Sequence, residues 1–101
     1  MSPAELVATL PEDQRAEAAQ LAAEITGYLC RRWDLHAGTE LGWRVSPRFS
    51  GGVLVTAHHP DAQPGDDTGS SGLCSGLYDR RGPLAALRLW VGLVRDEGGA
   101  Q

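Results

Sequence analysis

The stretch Leu41–His59, LGWRVSPRFSGGVLVTAHH, decides the fold class. Leu41, Trp43, Val45, Pro47 and Phe49 alternate with Gly42, Arg44, Ser46 and Arg48, the period of two of a half-buried strand. Pro47 has no N–H to donate, which places that strand at a sheet edge or a bulge. Val53–His59 reads as a second strand, and side-chain facing selects the connection. A two-residue loop would set Val53, Val55 and Ala57 beside Arg48 and Ser46, whereas the three-residue loop Ser50-Gly51-Gly52 sets them beside Phe49, Pro47 and Val45. The three-residue loop is expected, with His59 opposite Trp43 at the rim of the core face.

Helical periodicity flanks this hairpin on both sides. Ser2, Pro3 and Glu5 combine an N-cap, a proline at the first helical position and a capping-box acid, which predicts a short helix to about Thr9. From Pro11 to Trp33, Ala18, Leu21, Ala22, Ile25, Tyr28, Leu29 and Trp33 recur at steps of three and four, predicting one long amphipathic helix ended by Asp34–Gly38. Gly27 costs about 1 kcal/mol relative to alanine inside it, a cost offset if another element packs closely there.

After the hairpin, Pro60–Gly72, PDAQPGDDTGSSG, contains no apolar side chain larger than alanine and reads as a mobile loop. Residues 73–78 read as a short third strand. Gly82-Pro83 opens a last helix, 83–96, stopped by Gly98-Gly99. The predicted fold is α+β: a long N-terminal helix, a three-stranded antiparallel sheet and an apolar C-terminal helix. At 101 residues a second core is not expected, so residues 1–101 read as a single domain.

The last helix is more apolar than a cover for one sheet face needs. Its large apolar side chains spread over roughly 220° of arc, leaving Arg81, Arg88 and Arg95, spaced by seven, as the polar stripe. Either this helix lies between the sheet and the long helix, or part of it meets another chain. Leu87, Trp90, Val91 and Val94 are the expected interface residues, and a homodimer the expected assembly.

Composition bounds function. The net charge of -4 argues against a protein devoted to nucleic acid, because neutralising phosphates supplies most of that affinity. Every basic residue is arginine and asparagine is missing, a skew produced by high-G+C bacterial codon usage. Residues 60–79 carry four aspartates and no base, and residues 80–95 four arginines and no acid, so loop and helix are expected to attract each other. No apolar run reaches the length of a membrane span, and the acidic N-terminus is unlike a signal peptide, so no membrane and a cytoplasmic location are expected. Cys30 and Cys74 form no CxxC pair and read as free thiols.

Candidate chemistry is sparse. Gly72-Leu-Cys74-Ser-Gly76 has the spelling of a cysteine nucleophile elbow but lacks the strand-to-helix context that gives it meaning. His58 and His59, with Asp61, Asp66, Asp67 and Cys74 near in sequence, offer metal-ligand atom types, yet neighbouring residues on a strand point to opposite faces. Arg80 and Arg81 precede a helix whose first amides are unpaired, an arrangement able to hold a phosphate or carboxylate, with Trp43 and Tyr78 as packing walls. The alternative is that Arg80 and Arg81 are solvated or pair with Asp66, Asp67 and Asp79. No convergent acid, base and nucleophile set is visible, so no cofactor is called for and catalysis is left open.

From Pro11 onward the order helix, strand, strand, strand, helix resembles that of double-stranded RNA-binding domains, which also carry basic residues at the start of the last helix. Their lysine-rich pattern is missing here. In fold class the chain is also similar to small acidic secretion chaperones, which dimerise through a helix. The expected function is an accessory or regulatory module that binds another protein. The alternative is a small-ligand or anion-binding protein of a metabolic pathway using Arg80 and Arg81.

Overall fold

A computed structural model describes residues 1–48, 51–61 and 74–99, with side chains through Asp96. The elements are α1 (Pro3–Ala8), α2 (Glu12–Arg32), β1 (Gly42–Pro47), β2 (Val53–His58), β3 (Cys74–Asp79) and α3 (Pro83–Gly99). The three strands form one antiparallel sheet in the order β1-β2-β3. This is the α+β arrangement expected of the sequence, with α3 continuing through the glycines predicted to stop it. The expected loop of residues 60–72 lies almost wholly outside the described residues. The expected attraction of its Asp66 and Asp67 to Arg80 and Arg81 lies there too.

The hairpin register differs from expectation by two residues. Trp43 pairs with Ala57, Val45 with Val55 and Pro47 with Val53. The Arg48 N–H donates to the Gly52 carbonyl and the Gly51 N–H to the Arg48 carbonyl, both at 3.0 Å, so the chain reverses one residue earlier than Ser50-Gly51-Gly52 implied. Gly51 takes the positive φ, +89°, that such a turn requires. Gly52 is required for a different reason. A Cβ there would stand 2.6 Å from the Asp79 carbonyl oxygen and 2.7 Å from the Arg80 Cα, so the end of β3 passes too close for any side chain. A shift of two residues keeps every side chain on its own face, which is why the apolar alternation was correct and the register was not.

The core face of the sheet carries Trp43, Val45, Val53, Val55, Ala57 and Leu77, all buried or packed on the core. α3 lies against β2, β3 and α2, while α1 lies against β1 and α2. Among the partners that could have covered the wide apolar arc of α3, the chain therefore uses its own. Leu87, Trp90 and Val91 are buried and Val94 is packed against the core, so these expected interface residues are interior ones. Leu89 and Leu93 alone of the large apolar side chains described on α3 are exposed, at 45% and 48%.

Two arginines of the polar stripe, Arg88 and Arg95, also meet α2. Arg88 makes a bidentate pair with Glu17 at 2.5 and 2.7 Å, and Arg95 with Glu24 at 3.1 and 2.6 Å. Both partners are spaced by seven residues, so the two helices run side by side in the same direction. The arginines hold both glutamates below the ordinary carboxylate range through these hydrogen bonds.

Candidate functional site

The other side of α2 is hollow. Ala19, Ala22, Ala23, Thr26, Gly27 and Cys30 recur along it at helical spacing and form the floor of a half-open groove of about 930 Å³. Pro3, Ala4 and Val7 of α1 make one wall. No residue of that floor is larger than threonine, and the short α1 offers only three side chains opposite it, so the space stays unfilled.

Local structure builds both ends of the groove. Ser2 caps α1 by accepting the Glu5 N–H at 3.2 Å, and the Glu5 carboxylate accepts the Ser2 N–H at 3.3 Å. Met1 and Trp43 exchange backbone hydrogen bonds of 2.7 Å in both directions, which fixes α1 to the free edge of β1. At the far end α2 terminates in a Schellman motif: the Leu35 N–H donates to the Cys30 carbonyl at 2.7 Å and the Asp34 N–H to the Arg31 carbonyl at 3.3 Å. Asp34 adopts φ +55° to do so. The chain then turns at His36–Thr39, with Gly38 at φ +93°, and the Cys30 thiol donates to the Thr39 carbonyl at 3.7 Å. This folds Leu35, Gly38, Thr39 and Glu40 back against α2 as the end wall.

Two charged groups line the groove at that end, Arg31 and Glu40, and neither forms an ion pair among the described residues. The Arg31 side chain folds back over the preceding turn, and its Nη1 would lie 3.6 Å from a Cβ placed on Gly27. Gly27 thus faces the groove and the Arg31 guanidinium. No second element packs closely against Gly27 among the described residues.

The predicted ligand cluster does not assemble. Trp43 is buried on the core face, its ring 5.9 Å from that of Trp90, with its Nε1 enclosed and unpartnered. Tyr78, paired with Leu54, points to the opposite face. Trp43 aligns with Ala57 and Ser75, whereas Arg80 and Arg81 follow Asp79, which aligns with Val53. Four residues of strand, about 13 Å, separate the two positions. Arg81 is already met by a carboxylate: Asp79 accepts its backbone N–H at 2.8 Å and its guanidinium at 3.1 and 3.0 Å. These bonds depress the Asp79 carboxyl below its ordinary value. Arg80 is exposed.

The histidines separate as their strand positions required. His58 lies on the outer face, its Nε2 3.1 Å from the Thr56 hydroxyl. His59 lies beyond the strand end, edge-on to Trp33 rather than opposite Trp43, with Nδ1 accepting the Asp61 N–H at 2.9 Å. Among the described residues no group of three His, Cys, Asp or Glu could hold a metal ion, and no helix is long and apolar enough to cross a membrane. No protein-family model, curated protein or solved structure matches the chain.

The groove was the feature that sequence reading missed. Its signal was present as the run of Ala, Thr, Gly and Cys at steps of three and four beside the apolar stripe of α2. Small residues at helical spacing describe close helix contact as readily as empty space, so the signal acquires meaning only once the opposing wall is seen.

Proposed function

We propose that the chain works by binding, as a small accessory protein whose recognition site is the groove between α1, α2 and the loop following α2. The observation that carries this reading is the hollow itself. Its volume, about 930 Å³, lies in the range of ligand pockets, its floor is apolar, and its polar groups gather at one end. This shifts the anion-binding alternative from Arg80 and Arg81 to a different arginine, Arg31.

An apolar fluorescent probe such as anilinonaphthalene sulfonate tests the reading. The folded protein should enhance its emission, and Gly27→Leu, which projects a side chain into the groove, should remove the enhancement. Equal enhancement by both proteins, or none by the native chain, would refute the site.

A second reading, association with another protein or a second copy, is favoured by Leu89 and Leu93, exposed one turn apart on α3. Glu at both positions should then convert a dimer to a monomer in sedimentation analysis. A native chain that is already monomeric at every concentration would end that reading.

A further inference from the structure

Resting on the groove as the binding site, we infer that its ligand is a straight-chain amphiphile with a carboxylate head, the chain lying along α2 and the head against Arg31. The floor is graded from end to end. Toward the start of α2 it offers Ala19 and Ala23, with Pro3, Ala4 and Val7 of α1 as the wall and no charged group among these lining residues. Toward the end of α2 the floor offers Thr26, with Arg31 beside it and Thr39 in the end wall. From Ala19 to Gly27 the helix advances about 12 Å, the reach of roughly ten carbons of extended chain.

Charge selects the head. Arg31, an exposed residue lining the groove, has its Nη1 3.6 Å from where a Gly27 Cβ would stand and no carboxylate partner among the described residues. Arg88 and Arg95, on the opposite seam between α2 and α3, are by contrast both engaged by glutamates. A planar guanidinium offers a carboxylate two parallel hydrogen bonds. Glu40, the acid lining the same end, is exposed as Arg31 is, and its charge disfavours a second negative charge on the head.

Calorimetric titration of the full chain with octanoate, decanoate and decan-1-ol tests this. Decanoate should bind about five- to fifteenfold more tightly than octanoate, from the two added methylenes. Arg31→Gln should weaken decanoate about tenfold and leave decanol unchanged. Glu40→Gln should tighten decanoate, and Gly27→Leu should abolish binding of both ten-carbon ligands. Decanol binding as tightly as decanoate, with no effect of Arg31→Gln, would overturn the assignment of the head while leaving the groove as an apolar site. Weakening by Glu40→Gln would overturn the single-carboxylate head in the same way. No binding of any of the three, or binding indifferent to Gly27→Leu, would overturn the groove and the ligand together.

Discussion

The two flanks of α2 are built from side chains of very different size and meet very different neighbours. On one flank Glu17 and Glu24 reach across to Arg88 and Arg95, and the adjoining strip of Ala18, Ile25 and Leu29 is fully buried. On the other flank Ala19, Ala23 and Gly27 face a helix of only six residues and a loop, and a groove remains. Both flanks belong to one amphipathic helix, so the difference lies in what stands opposite. The seventeen-residue α3 packs against the first flank; the second receives a partner too short to fill it.

Substitutions that change side-chain volume should expose this contrast. Leu87, fully buried, is enclosed on the filled side, and Leu87→Ala should cost about 2–5 kcal/mol in denaturant unfolding. Enlarging alanines should separate the flanks directly. Ala18→Leu, in the packed strip, should cost about 1–3 kcal/mol by overpacking, whereas Ala23→Leu, on the groove floor, should lie within about 0.5 kcal/mol of the native chain. Equal costs would mean that the groove is not open space.

Gly27→Leu sharpens the comparison further because its two effects have opposite sign. Helix propensity should stabilise the protein by roughly 0.5–1 kcal/mol, raising Tm by a few degrees, while the same side chain closes the groove. Stability gained and binding lost in one variant cannot be ascribed to unfolding.

The smallest effect belongs to the ionic seam. Glu17 and Glu24 have carboxyl groups depressed in the folded state by hydrogen bonds from Arg88 and Arg95. A depressed carboxyl contributes stability that is complete above its unfolded value and is lost as pH falls through the folded one. Thermal unfolding of the native chain should therefore lose its advantage over Glu17→Gln/Glu24→Gln as pH falls through and below the ordinary carboxylate range. Added salt should narrow the difference at neutral pH, since both pairs are exposed to solvent.

The fold was largely legible in the sequence because its signals are local. The capping box at Ser2, the three- and four-residue steps of α2 and the alternation from Leu41 each act within one element. Register was not legible, since Gly51 and Gly52 both suit a turn and a slip of two residues leaves every face unchanged. What distinguishes the two glycines is the approach of Asp79 and Arg80 to Gly52, and those residues lie far along the chain. The role of Leu87, Trp90 and Val91 was ambiguous for a related reason: an apolar arc records that something covers it, not what. The paired spacing of Glu17 with Glu24 and of Arg88 with Arg95 held the answer, as it predicts two parallel helices in contact. The candidate site was the least legible part, because three separate segments contribute to a volume that none of them encodes alone.

The most direct test of the central claim, that the small-residue flank of α2 is a binding site, is an amide NMR titration of the native chain with decanoate. The largest shifts should map to Ala19, Ala23, Gly27 and Thr39 and be absent in Gly27→Leu. Shifts centred on Leu89 and Leu93, or no saturable shifts at all, would contradict it.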